Sequence, residues 1–257
     1  MKTPIRRIFA QWPRGVCHRG FHGLLHPENS RGAYLDAVNH GLPFECDVHV
    51  TKDGRVVACH DSTLERTTGK AGTIEELDFD YIEKNYRLRD GSTLPSLEEV
   101  LRIADRQRPM VLELKVHEGN HVALAAAVKK VIKGYDPAKL VIISFDANVL
   151  REFKTTDYNL GLLVGTKADI SYRHRHEQPI NEFDFIDVEI SFLRFFPMFQ
   201  AYRKAGGIVH SWTIRSKSDA LVAAKKADCS TWEIIRTNKP FEGQKENLYL
   251  KRKGLGL

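Results

Sequence analysis

Short apolar stretches alternate with segments of helical spacing along nearly the whole chain, and this alternation limits the fold more than any other feature. Strand-like runs fall at 16–17, 43–50, 55–60, 110–115, 140–145, 160–165, 183–190, 207–214 and 232–237. Helical spacing occupies 29–39, 96–105, 121–133, 147–156, 196–205 and 217–226. Ser96 with Glu99, just after Pro95, forms a capping-box start. Repeated strand–helix units call for a parallel sheet covered by helices. About eight such units in 257 residues favour an α/β TIM (β/α)8 barrel over an open doubly wound sheet. No glycine-rich dinucleotide fingerprint follows the first strand, which weakens the open-sheet alternative further. The chain therefore reads as one domain, 1–257. The polar stretch 61–94 is too long for a simple connection and reads as a small insertion after the second strand, packed over one mouth of the barrel.

Composition matters at two points. The formal net charge is +6, which suits an anionic substrate or a polyanionic surface without choosing between them. Cys17, Cys46, Cys59 and Cys229 form no CxxC pair, and most lie in apparent strands, where thiols act as small buried apolar groups. A reducing compartment is the simpler assumption, and the expected location is cytoplasmic. Residues 1–15 are basic but lack an apolar signal core, and no run is long enough to span a bilayer, so no stable membrane insertion is expected.

The chemistry is written at strand ends. In PFECDVHVT, Glu45 and Asp47 share one face while Val48 and Val50 take the other. Two carboxylates inside a barrel repel each other and resist desolvation. A hard cation such as magnesium, calcium or manganese relieves both costs; buried lysine or arginine is the other solution. The strand PMVLELK repeats the geometry with Glu113 and Lys115, either a third oxygen ligand beside a phosphate-binding ammonium or a self-contained ion pair. His18 with Arg19 at the end of the first strand pairs a proton-transfer group with an anion clamp. His60 ends the strand that follows the TKDG turn. Two histidines near an acidic cluster fit the two proton transfers of phosphodiester hydrolysis.

In this order the pieces resemble the glycerophosphodiester phosphodiesterase family: HRG with PENS, ECDV with TKDG and HDSTLERTTG, then LPSLEEVL, LELK and SWTI. The resemblance covers nearly the whole chain, and the combination is specific although each motif alone is weak. It implies a TIM barrel with a small insertion after the His-Asp pair. It also implies cation-assisted hydrolysis of glycerophosphodiesters to glycerol 3-phosphate and an alcohol. On this resemblance His18 and His60 are the acid/base pair, and Glu45, Asp47 and Glu113 hold the cation. Arg19 and Lys115 contact phosphate, and Trp212 walls the alcohol or glycerol group. Attack by the substrate's own 2-hydroxyl, through a cyclic phosphate, and direct attack by water both remain open.

Some features depart from the pattern. The family's Thr-Asp before the last proline reads Thr-Asn here, at Asn238. His22 and His26, in the loop FHGLLH, are outside the common pattern and read as exposed and peripheral. His174 and His176 read as part of a basic solvated loop. On FDFIDVEI, Asp187 and Glu189 face one way, which places Glu189 near Lys115 as a salt-bridge partner or substrate contact. The partner expected is a small phosphodiester rather than nucleic acid; the oligomeric state is not legible. One rival keeps the site but acts on lysophospholipids in the manner of a phospholipase D, which calls for a long apolar groove beside Trp212. A rival of another class is a noncatalytic anion- or nucleic-acid-binding protein, and it predicts no convergent acidic pocket.

Overall fold

The computed structural model describes residues 2–105, 108–165 and 181–233. Eight parallel strands close into a barrel among these residues. They are β1 (Val16–Cys17), β2 (Phe44–Val50), β4 (Met110–Leu114), β5 (Leu140–Ser144), β6 (Asn159–Val164), β7 (Phe185–Glu189), β8 (Val209–Ile214) and β9 (Cys229–Trp232). Each pairs with the next in chain order, and β1 joins both β9 and β2 to close the circle. β3 (Val56–Ala58) runs antiparallel to the end of β2 and lies outside the barrel wall. The run at 55–60 is thus the return arm of a hairpin, made by the tight turn that leaves Gly54 in the left-handed region (φ 79°). The final strand also differs from its sequence reading: it ends at Trp232 instead of starting there. Its residues Cys-Ser-Thr-Trp carry little apolar signal, and pairing with β1 and β8 makes the strand.

The helices follow the alternation. α2 (Arg31–Asn39), α5 (Leu97–Ile103), α6 (His121–Val131), α7 (Ala147–Arg151), α8 (Ile190–Phe195), α9 (Met198–Lys204) and α10 (Lys217–Lys226) connect the strands. Ser30 caps α2, and Ser96 with Glu99 forms the complete capping box that starts α5. The outward strand residues Phe44, Cys46, Val48, Leu112, Ile142, Leu162 and Val188 join Tyr34, Leu97, Leu124 and Leu150 of the helices in the main apolar core.

The inward faces divide by depth. Val16, Val111, Val141, Phe185 and Cys229 cluster with Ile5, Ile8 and Phe9 of α1 (Ile5–Ala10), which plugs the barrel floor. Six residues are too few for periodicity to reveal that helix. Charged groups occupy the other end, where the strands finish. Between β3 and α5, α3 (Glu65–Thr68), a 3-10 turn at Ile74–Glu76 and α4 (Phe79–Asn85) pack a separate apolar cluster. Leu64, Ile74, Phe79, Ile82 and Tyr86 build it against Val57 and Cys59 of the hairpin. No helix among the described residues is long and apolar enough to cross a membrane.

Candidate active site

Asp47 on β2 and Glu113 on β4 are register partners on adjacent parallel strands, so they sit in the same layer of the barrel. Glu45 lies one inward position below Asp47. All three are buried, and one carboxylate oxygen from each lies within 4.8 Å of the others. Period-two alternation on two paired strands is sufficient to build this triad.

Two cations partly offset its charge. Lys115 Nζ is 2.5 Å from Glu113 Oε1 and 3.1 Å from Asp47 Oδ1. Arg19 lies with Nε 3.3 Å from Asp47 Oδ2, and its Nη1 donates to Glu28 Oε1 at 2.8 Å. The Arg19 backbone N–H also donates to Glu45 Oε2 at 2.8 Å, which its left-handed conformation (φ 51°) allows. Gly20 beside it is left-handed too (φ 78°), and a Cβ there would come within 2.8 Å of Ala33.

Three acids against two bases leave the triad short of positive charge. Burial, then Asp47 and Glu113, holds Glu45 well above the usual carboxylate range. Burial also pushes Glu113 up to about 7 against the opposing pull of Lys115. Asp47 goes the other way: burial would raise it, but Lys115 and Arg19 together hold it low. Glu45 Oε1 is buried with no hydrogen-bond partner. An all-oxygen donor set with an orphaned buried carboxylate oxygen fits a hard divalent cation, and Glu45, Asp47 and Glu113 are the residues that would hold it.

Both histidines expected from the sequence face this cluster across one cavity of about 60 Å³, lined also by Arg19, Glu45, Glu113, Lys115 and Trp212. His18 Nδ1 is 2.8 Å from Glu233 Oε1, and its Nε2 is 4.0 Å from Glu45 Oε2. His60 Nδ1 is 2.6 Å from Asp61 Oδ1. Each imidazole therefore has a carboxylate at Nδ1, which fixes the proton there and leaves Nε2 for other chemistry. Burial lowers both histidines below their ordinary value. Glu233 is held low: burial opposes this, but hydrogen bonds from His18 and Arg215 outweigh it.

Trp212 stands at the cavity wall, its indole N–H donating to Asp187 O at 3.2 Å and its ring edge-on to Phe145 at 5.7 Å. A larger cavity of about 590 Å³ shares His60, Glu113, Lys115 and Phe145 with the first and adds Leu114 and Val116 beside the polar His49, Ser62, Ser144 and Asp146.

The model of the glycerophosphoryl diester phosphodiesterase family matches residues 18–233. The chain belongs to this family. A glycerophosphodiester phosphodiesterase of Bacillus altitudinis is 31% identical over 136 residues, covering 49% of this chain and 55% of that protein. Its counterpart from Caldanaerobacter subterraneus is 32% identical over 148 residues, covering 54% of this chain and 60% of that protein. The chain thus spans a little over half the length of these curated relatives. Among solved structures, an Oleispira antarctica phosphodiesterase in complex with the product sn-glycerol-3-phosphate superposes with a TM-score of 0.74 at 24% identity. That match covers 95% of this chain and 99% of the other. A glycerophosphodiester phosphodiesterase from Parabacteroides distasonis gives 0.72 at 22% identity, with 93% and 97% covered.

Within this family member, eight of the nine residues singled out from sequence meet at one barrel mouth: His18, Arg19, Glu45, Asp47, His60, Glu113, Lys115 and Trp212. Glu189 does not join them. Its carboxylate caps α8 by accepting from the Ser191 backbone N–H at 2.9 Å, and Lys115 is already held by Glu113 and Asp47. A β-strand that turns directly into a helix redirects its last side chain to the cap. His22 corrects a second expectation, because it is half-buried and its ring centroid lies 6.5 Å from that of His18. His26 is also half-buried, with Nε2 3.4 Å from Asp36. His174, His176 and Asn238 lie outside the described residues.

The sequence reading missed the residues that hold the site together. Glu28 bridges Arg19 and Arg66, and Arg66 in turn pairs with Asp61. Asn29 donates to Asp47 Oδ2 at 2.8 Å and accepts from Tyr34 OH at 2.6 Å. Glu28, Asn29, Asp61 and Arg66 all lie in motifs quoted above, so the signal was present without a role attached. Glu233 is two residues beyond Thr231 on the inward face of β9, and alternation from a correctly placed last strand would have found it.

Proposed function

We propose that the chain hydrolyses glycerophosphodiesters to glycerol 3-phosphate and an alcohol, with a divalent cation held by Glu45, Asp47 and Glu113. The observation that carries this reading is the pair of carboxylate-backed imidazoles, His18 and His60, sharing one cavity with that acidic triad. The cation, when bound, neutralises phosphoryl charge and lowers the pKa of an oxygen nucleophile. Arg19 and Lys115 orient the phosphodiester through its non-bridging oxygens and stabilise the charge that builds there. A new bond forms from the nucleophile oxygen to phosphorus as the bond from phosphorus to the alcohol oxygen breaks. One histidine takes the nucleophile's proton at Nε2, and the other gives its Nε2 proton to the departing alkoxide. Glu233 and Asp61 stabilise whichever imidazole is charged at that moment.

In this reading the small cavity takes the phosphoryl group and the larger one takes the alcohol. Leu114, Val116 and Phe145 line the larger cavity beside its polar groups, so a lysophospholipid carrying an acyl chain is the second reading. The chain acts as one domain, and the insertion at 61–94 supplies Asp61 and Arg66 to the site. Four buried thiols suit a reducing, cytoplasmic setting.

The test is release of glycerol 3-phosphate from several glycerophosphodiesters, with and without chelator, for the parent chain, His18→Ala and His60→Ala. Chelation and each substitution are expected to remove most turnover. Full turnover in chelator would overturn the cation, full turnover in either variant would overturn that histidine, and no release from any diester would overturn the activity.

A further inference from the structure

His22 has no part in the chemistry proposed above, yet its ring centroid lies 6.5 Å from that of His18. Its Nε2 is buried and has no hydrogen-bond partner. One donor atom from each of His18, His22 and Glu233 lies within 4.8 Å of the other two. Ligands of a tetrahedral zinc ion, bound at about 2.0–2.1 Å, stand about 3.4 Å apart, so modest side-chain adjustment would close the set. Two imidazoles with one carboxylate make a donor set suited to zinc, whereas the neighbouring all-oxygen triad suits harder cations.

The surrounding contacts bear on that geometry. Glu233 is an anion whose Oε1 faces His18 while Oε2 is 2.8 Å from Arg215 Nε. A cation entering between His18 and Glu233 would replace the His18 hydrogen bond and compete with Arg215 Nη2 for Oε1, while the Arg215 Nε contact to Oε2 stays in place. Arg19, Arg89 and Arg215 are the positive groups that oppose it, and Glu28 and Glu233 are the negative groups that favour it.

We propose that His18, His22 and Glu233 form a second cation site, selective for zinc, whose occupation inhibits the enzyme. Inhibition follows because the ion engages the imidazole that otherwise transfers a proton and removes its Glu233 partner. The inhibitory half rests on the acid/base reading of His18; the binding half does not.

Cobalt(II) serves as a spectroscopic stand-in for zinc, added to the full chain with magnesium in excess. A visible absorption band typical of four-coordinate cobalt is expected, and zinc should abolish it by displacement. His22→Asn should lose the band and weaken zinc inhibition about tenfold or more, with turnover in magnesium alone unchanged. Glu45→Gln should keep the band, which separates this site from the acidic triad. No four-coordinate band in the parent chain, or an undiminished band and zinc sensitivity in His22→Asn, would overturn the site. A band with unaffected turnover would overturn the inhibitory role. If no glycerophosphodiester is cleaved at all, the proposed activity fails, and the cobalt band still decides whether the site exists.

Discussion

Glu233 Oε1 and His18 Nδ1 stand 2.8 Å apart although 215 positions separate them in the chain. The contact joins the first barrel strand to the last and ties closure of the barrel to the orientation of the His18 imidazole. Asp61 does the same for His60 from the adjacent position. Glu233 is the more constrained of the two, because Arg215 engages both of its oxygens at 2.8 and 2.9 Å.

Glu233→Gln should therefore act through His18. Loss of the negative charge removes stabilisation of the imidazolium and relaxes the tautomer, and kcat is expected to fall by about 100-fold with little change in KM. A pH–rate profile checks this: the limb governed by His18 should move to lower pH, since an imidazole without its carboxylate binds its proton less tightly. An unchanged profile with wild-type kcat would assign Glu233 to structure alone.

The acidic triad is held together against its own repulsion when no cation is bound. Glu45→Gln removes one buried charge while its amide oxygen can still accept the Arg19 N–H, so the metal-free variant should be as stable as the parent or more so. Magnesium or calcium is expected to raise the Tm of the parent, and the same change should abolish that rise. Thermal unfolding with and without cation reads both effects, and a large loss of metal-free stability would contradict the repulsion.

His210 and Asp187 form a buried pair in the barrel interior, with Nδ1 2.8 Å from Oδ1. Burial would lower His210, but Asp187 raises it to about 10. A raised folded-state value means the pair's stabilisation is complete below the unfolded histidine value of about 6.5 and is lost as pH rises through 10. Urea unfolding at pH 6.5 and at pH 10 should show a loss on the order of a few kcal/mol in the parent that is absent in His210→Gln. Equal pH dependence in the two proteins would remove His210 as the source.

Gly165 leaves just enough room for the aromatic wall: a Cβ there would lie 3.0 Å from the Trp212 ring and 3.1 Å from Phe145. Gly165→Ala should displace that wall and raise KM by a few fold, and Trp212→Ala should raise it by about tenfold, roughly the loss of one ring's apolar contact. Both should leave kcat nearly unchanged, because neither side chain handles a proton. A drop in kcat with constant KM would place Trp212 in the chemistry rather than at its edge.

The sequence by itself determined the barrel and the composition of its mouth. Strand–helix alternation selects a closed parallel sheet, and period-two alternation puts Glu45, Asp47 and Glu113 on inward faces whatever the details. The tertiary structure decided which groups become partners. Closure brings Glu233 to His18, the hairpin turns the 55–60 run out of the wall and delivers His60, and the redirected end of β7 removes Glu189 from the site. It also carries His22 from a supposed exposed loop to the edge of His18. The physical reason is the range of the forces involved: periodicity records which face is dry, whereas a hydrogen bond or ion pair of about 3 Å depends on how distant segments are joined in space.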